Sequence, residues 1–334
     1  MIKSLIVAYD LIKKDQRLYN VPASSLACIH EHFEDSVKLV RFDASAPPNA
    51  ELEASIDVYW GNFFSVDLLD RMPGLKWIHC ASVGVNRAVA PEVAARNILV
   101  TNSHGVLVPQ VSAAVIGMIC ALARGFHHAW RLRSEGRMNR FEFDCYFDEM
   151  HDLEGERCLI VGLGDVGSRV AAACAALGMK VTAIKKRPSQ VPSSIDRVYA
   201  LDELTVAVSD ADYVVNLLPL TAKTMDVFND NIFDAMKPSA FFINAGRGQT
   251  VNEAALIKAL VHKRIAGAGL DVFAVEPLPA SSPLWGMQSV ILMPHVACLS
   301  TNYWRKQTQL LEANIHLFRS GSPLKNLVDL SIGY

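Results

Sequence analysis

The chain is expected to fold as α/β, with two Rossmann-like or flavodoxin-like domains that each hold a parallel sheet. Three observations lead there. Apolar runs of four to six residues alternate with helical stretches over most of the length, which is the pattern of βαβ units. The 334 residues suggest two domains, and 51% of them are apolar, so large buried cores can form. In the third, the apolar run Cys158-Leu-Ile-Val passes into Gly162-x-Gly164-x-x-Gly167 and then into a helical pattern.

In the first part of the chain the strands are Leu5–Tyr9 and the runs 38–42, 57–60, 77–81 and 98–101. In the second they are 158–161, Lys180–Ile184, 213–217, 240–244, 265–270 and 290–293. The stretch 111–124 is apolar apart from a few residues such as Ser112 and ends at Arg124. It is too short to span a bilayer and reads as a buried helix between the two sheets. Residues 299–319 read as one helix that returns to the first domain. The expected organisation is a discontinuous substrate domain (1–102 plus 296–334) around a nucleotide domain (103–295), with an active-site cleft between them. The segment 126–150 carries Phe126, Trp130, Phe141, Phe143, Tyr146 and Phe147 without a strand or helix period. It reads equally as a loop packed on its own core or as an arm that reaches a second subunit.

Composition excludes several classes. A formal charge of −2 gives no reason to expect nucleic acid or an anionic membrane as partner. The seven cysteines are scattered, odd in number and without a CxxC pair, which argues for a reducing compartment and against a disulfide framework or a zinc site. The first ten residues read as a strand rather than a signal peptide. The expectation is a soluble cytoplasmic protein.

In an open parallel sheet, ligands bind outside the carboxyl ends of the strands. Here those ends hand over to Gly162-Leu-Gly164, Lys185-Lys186-Arg187, Leu218-Pro219, Asn244-Ala-Gly-Arg-Gly248, Asp271 and Pro294-His295. Gly162 allows a tight turn, Gly164 lets the backbone approach phosphates, and Gly167 lets helix pack close on strand. The helix N-terminus adds free N–H groups and a positive dipole end, so the loop suits a dinucleotide pyrophosphate. Each residue alone has a plain alternative: a tight turn around a solvated Arg247, an ordinary loop histidine, a local cap at Glu276, a solvated basic run. Their coincidence at six strand ends is harder to explain by solvation.

Together these residues resemble the D-isomer-specific 2-hydroxyacid dehydrogenases. The pieces are Gly-Leu-Gly-Asp-Val-Gly at 162–167, Asn-Leu-Leu-Pro-Leu-Thr at 216–221, Phe-Ile-Asn-Ala-Gly-Arg-Gly at 242–248, Gly-Leu-Asp-Val-Phe-Ala-Val-Glu-Pro-Leu-Pro at 269–279 and Met-Pro-His-Val-Ala at 293–297. The run 277–285 resembles the glyoxylate/hydroxypyruvate reductase branch. The resemblance implies catalytic roles for Arg247, Glu276 and His295. Chemistry agrees: a 2-oxo acid needs a proton donor at its carbonyl oxygen, and histidine suits that task. Glu276 would orient the ring and favour its charged form. Arg247 would hold the substrate carboxylate and polarise the carbonyl. The N–H groups of Val83 and Gly84 resemble the family's second carboxylate clamp, although that turn could be a simple loop. The implied dinucleotide site comprises Gly162, Gly164, Asp165, Val166, Gly167, Lys185, Lys186, Arg187, Leu218, Pro219, Thr224, Ala245, Gly246 and Asp271.

Two departures matter. NAD-specific members carry an acid where this chain has Lys185, Lys186 and Arg187; cations suit a 2′-phosphate, so NADPH (NADP+) is expected over NADH. The family often has a Glu at the start of the interdomain helix, where this chain has Val111-Ser112-Ala113. The reading that follows is an NADP-preferring reductase of a small 2-oxo acid to the D-2-hydroxy acid. It is expected to be a homodimer through residues 103–150, with no nucleic acid, membrane or metal partner. The alternative is a dinucleotide-sensing, co-repressor-type binding protein on the same fold. A third, rarer reading is oxidation of an inorganic anion such as phosphite.

Overall fold

The computed structural model describes residues 4–11, 17–85, 88–185 and 192–330. Each apolar run above forms a strand, and all strand pairs are parallel. The chain divides into two units, one from 1–107 and 299–334, the other from 108–298. The crossings therefore fall after Leu107 and Cys298, against the 102 and 295 read from the sequence.

The first unit holds a five-stranded sheet of β1 (Leu5–Tyr9), β2 (Val37–Arg41), β3 (Val58–Gly61), β4 (Trp77–Cys80) and β5 (Leu99–Thr101), in the order β2-β1-β3-β4-β5. This is the flavodoxin-like order. β3 and β4 are buried along their whole length, as central parallel strands are. Alternate side chains enter two cores: Trp77 joins Leu5 and Val7, while Ile78 joins Ala8 and Leu69. The helix Tyr303–Ser320 adds Leu311 and Ile315 to the first of these cores. It also donates from the Tyr303 hydroxyl and the Gln307 amide to the carbonyl of Ala81, at 2.7 and 2.8 Å.

The second unit holds β6 (Arg157–Val161), β7 (Lys180–Ile184), β8 (Arg197–Tyr199), β9 (Tyr213–Asn216), β10 (Phe241–Asn244), β11 (Gly267–Leu270) and β12 (Val290–Leu292). Their order is β12-β11-β10-β9-β6-β7-β8. Counted within the unit, this is the 3-2-1-4-5-6 order of a dinucleotide-binding sheet with a seventh strand at one edge. The order reverses between β6 and β9, so a crevice is expected at their carboxyl ends. Leu159 and Val161 point into one core, Cys158 and Ile160 into the other. The helix Val108–Ala123 contributes Val115, Met118, Ile119 and Leu122 to the latter core. Strand and helix pack close at Gly269, where a Cβ would stand 3.0 Å from the Met118 side chain. Ser112 is buried and donates to the carbonyl of Val166 at 3.5 Å, so the hydroxyl of the Val-Ser-Ala sequence bonds to the glycine-loop helix.

Two expectations need correction. β8 was not anticipated: it is three residues long and pairs only with β7 at the sheet edge. The segment 126–150 is not irregular. It forms the helix Phe126–Ser134, a helical turn Arg140–Phe143 and a 3₁₀ stretch Asp144–Glu149. Only His128 and Leu132 of the first helix are buried, which leaves no apolar period to read. His128 stacks on Tyr146 at 3.9 Å and 9° and bonds Glu149 at 2.9 Å, so the segment folds on itself. Phe126, Trp130, Met138, Phe141 and Phe147 remain exposed, Phe141 by 87%. Among the described residues, no single helix is long and apolar enough to cross a membrane.

Candidate active site

The carboxyl ends of β6, β7, β9, β10, β11 and β12 carry the candidate site residues of the second unit. After β6, Gly162 has φ +110°, and a Cβ on it would meet the Leu217 carbonyl carbon at 2.9 Å. A Cβ on Gly167 would stand 2.3 Å from the Gly162 carbonyl oxygen, so only glycine lets the helix Asp165–Ala176 sit this close to the turn. Gly164 differs from both. A Cβ there would meet nothing within 4 Å, and Gly164 and Asp165 are exposed while Val166 is half-buried. Gly164 is also the N-cap residue, and no side chain caps the helix. Two glycines are thus demanded by packing, and the third keeps open ground before a helix N-terminus. That combination fits a dinucleotide pyrophosphate.

On the next strand end, Lys185 follows β7, half-buried, with its N–H donated to the Tyr199 carbonyl at 3.2 Å. Lys186 and Arg187 lie outside the described residues. After β9, Leu218 is buried and Pro219 exposed. Thr224 is buried, and its hydroxyl donates to the Pro219 carbonyl at 2.6 Å while accepting the N–H of Thr221 at 2.8 Å. Its side chain therefore closes that turn. Ala245 and Gly246 lead from β10 into Arg247; a Cβ on Gly246 would press on the Leu218 carbonyl oxygen at 2.8 Å.

Arg247 is half-buried and donates from Nη1 to the Gly246 carbonyl at 2.7 Å. Burial pulls its guanidinium below the ordinary value, and the nearby Glu276 carboxylate opposes that fall. His295 follows β12. Its Nδ1 lies 2.7 Å from Glu276 Oε2, while Glu276 Oε1 accepts the N–H of Phe273 at 3.1 Å. Among the described residues none bonds His295 Nε2. The ring is thus aimed by one nitrogen and open at the other.

Asp271, which follows β11, is buried and stands behind this pair. Its carboxylate accepts the N–H groups of Val296 at 2.8 Å and Ala297 at 3.1 Å. Its own carbonyl accepts the N–H of His295 at 2.8 Å. Burial pushes the Asp271 carboxyl above its usual range; those two N–H groups and the charge of His295 pull it back, and Glu276 adds to the rise. His295 adopts φ +55°, a left-handed conformation that the Asp271 bonds on both sides hold in place.

Val83 and Gly84 lie in the first unit, in the turn after β4. The Ser82 hydroxyl donates to the Gly84 carbonyl at 2.8 Å and the Asn102 amide to the Val83 carbonyl at 3.0 Å. Among the described residues no group accepts their N–H groups. A cavity of about 240 Å³ adjoins this turn, lined by Gly61, Asn62, Phe64, Cys80, Ser82 and Gly84 among others.

Sequence reasoning missed Asn216, Asn244 and Thr250 as site residues. They are buried and hydrogen-bonded to one another behind the Arg247 turn. The available signal was an asparagine closing each of two neighbouring apolar strands.

Residues 116–297 match the family model described as D-isomer specific 2-hydroxyacid dehydrogenase, NAD binding domain. The chain belongs to the D-isomer-specific 2-hydroxyacid dehydrogenase family. It is 32% identical to a glyoxylate reductase from Thermofilum pendens over 267 residues, 80% of this chain and 78% of the relative. A D-isomer specific 2-hydroxyacid dehydrogenase from Xanthobacter autotrophicus, solved in complex with NADPH and MES, superposes with a TM-score of 0.82 at 26% identity, covering 99% of both chains. An NADPH-dependent glyoxylate/hydroxypyruvate reductase from Sinorhizobium meliloti, solved with NADP and sulfate, gives a TM-score of 0.82 at 25% identity, covering 99% of this chain and 100% of that one.

Proposed function

We propose that this chain reduces a small 2-oxo acid of the glyoxylate or hydroxypyruvate kind to the D-2-hydroxy acid, and that it prefers NADPH. The observation that carries this reading is the His295–Glu276 pair, bonded at 2.7 Å through Nδ1 and open at Nε2. When bound, the nicotinamide supplies a hydride to the carbonyl carbon. His295 gives its Nε2 proton to the carbonyl oxygen, and Glu276 keeps the ring in that orientation. Arg247 binds the carboxylate and stabilises charge on the carbonyl oxygen. The N–H groups of Val83 and Gly84, in the first unit, would offer donors suited to a carboxylate.

Gly162, Gly164 and Gly167, with the N–H groups at Asp165 and Val166, would hold the pyrophosphate. Leu218, Pro219, Ala245 and Gly246 would wall the crevice, Thr224 would shape it from within its turn, and Asp271 would support it from behind. Lys185, Lys186 and Arg187 would meet the 2′-phosphate; the NADP(H) bound in the two related structures supports that preference. The exposed aromatic row of 126–150 supports a homodimer. A soluble, cytoplasmic setting goes with this reading. The test is NADPH oxidation with a panel of 2-oxo acids, run beside light scattering at micromolar protein. Turnover of glyoxylate or hydroxypyruvate by a dimer is expected. Dinucleotide binding without turnover of any 2-oxo acid would favour the sensing protein instead, and a clean monomer would remove the dimer.

A further inference from the structure

Three buried polar side chains behind the Arg247 turn have no role in the reaction as derived so far. Asn216 ends β9, Asn244 ends β10, and the parallel register sets them side by side. Thr250 lies three residues beyond Arg247. Asn216 and Thr250 are completely buried and Asn244 nearly so. Asn216 donates from Nδ2 to Asn244 Oδ1 at 3.0 Å and to Thr250 Oγ1 at 2.7 Å. Its Oδ1 accepts the N–H of Leu218 at 3.1 Å. Asn244 Oδ1 accepts the N–H of Gly246 at 3.1 Å, and the Thr250 hydroxyl donates to the Arg247 carbonyl at 2.6 Å.

The bonds form one connected network. It starts on the turn after β9 and ends on the N–H before Arg247 and on the carbonyl of Arg247 itself. Apolar residues would fill the same space but would fix no direction for either turn. Hydrogen bonds do fix it, and a buried network that loses one member leaves a polar group without a partner. We infer that Asn216, Asn244 and Thr250 are positioning residues: they set the backbone pose from which the Arg247 guanidinium meets the substrate carboxylate. This rests on the role proposed above for Arg247. Small misplacements of such a group weaken substrate binding strongly.

Thr250 separates the two turns best, because its replacement leaves the Asn216 bond to Leu218 intact. Thr250→Val keeps the shape and removes the hydroxyl. It is expected to raise KM for the 2-oxo acid about 10-fold. Binding of oxamate, an unreactive 2-oxo acid analogue, should weaken by the same factor. The Kd for NADPH, read by fluorescence, should change less than about twofold, and Thr250→Ser should restore KM. The inference is overturned by an unchanged KM in folded Thr250→Val, by an NADPH Kd that rises in step with KM, or by failure of serine to rescue. If valine does not fold there, Thr250→Ala is judged by the same criteria. If neither folds while serine does, the hydroxyl serves the fold and the inference is also overturned. A parent chain that turns over no 2-oxo acid and binds no oxamate defeats the proposed reaction first, and the positioning role with it.

Discussion

The two parallel sheets finish their strands in different ways. In the seven-stranded sheet, buried polar side chains at the carboxyl ends hold the backbone that carries the proposed catalytic side chains. Asp271 grips the backbone around His295, and Asn216, Asn244 and Thr250 grip the backbone around Arg247. In the five-stranded sheet the buried acid serves a turn. Asp10, just past β1, accepts from the Tyr59 hydroxyl and from the N–H groups of Asn62 and Phe63, the latter two at 3.2 Å. The groups left open after β4 belong to the backbone, the N–H groups of Val83 and Gly84. One sheet therefore offers side chains, the other peptide groups. Only the first kind of site announces itself by residue type, since every residue except proline carries an N–H.

Three experiments sharpen or break that comparison. The largest effect is expected at His295. His295→Asn should lower kcat for reduction about 10²-fold or more, the range for a lost general acid, with NADPH binding near normal. Parental turnover in this variant would remove the histidine from the reaction. A smaller effect is expected at the end of β7. The kcat/KM ratio of NADPH over NADH should be at least ~10, because about 1.4 kcal/mol of differential binding is enough. Lys185→Asp combined with Lys186→Ala should narrow or reverse it. Equal use of the two dinucleotides by the parent would show that the basic triplet is only a solvated loop. The smallest effect belongs to the five-stranded sheet. Ser82→Ala removes the bond to the Gly84 carbonyl and should raise KM for the 2-oxo acid about threefold, with NADPH affinity unchanged. An unaltered KM would mean that the peptide groups of this turn do not touch the substrate.

Much of the fold was legible because buried parallel strands are written as continuous apolar runs. β9 and β10 read as such and are buried at every position. β8 was not legible, since Arg197-Val-Tyr199 has one aliphatic residue and only one neighbour in the sheet. The helix Phe126–Ser134 hid for a related reason. Its two buried residues are a histidine and a leucine, and its large apolar side chains Phe126 and Trp130 face outward. Within the site, Arg247, Glu276 and His295 stood out as charged or titratable residues following apolar runs. The His295–Glu276 pair could be anticipated through the resemblance to the family, since the two residues stand 19 positions apart. The asparagine pair was harder to read: each asparagine closes an apolar strand, but Asn216 and Asn244 are 28 positions apart and meet only through strand register. Thr224 reads from the sequence as a residue of the dinucleotide site, yet its hydroxyl is spent inside its own turn.

The left-handed backbone at His295 has a consequence for how this sequence can drift. A histidine is less comfortable at φ +55° than asparagine or glycine. Selection for thermal endurance alone would therefore push that position away from histidine, and under the role proposed for His295 the more heat-tolerant descendants would be the less active ones. On that reading, keeping the imidazole there is a standing concession of durability to turnover. A Tm for His295→Asn at or above that of the parent is its signature, and a marked fall would show that the ring itself holds the turn together.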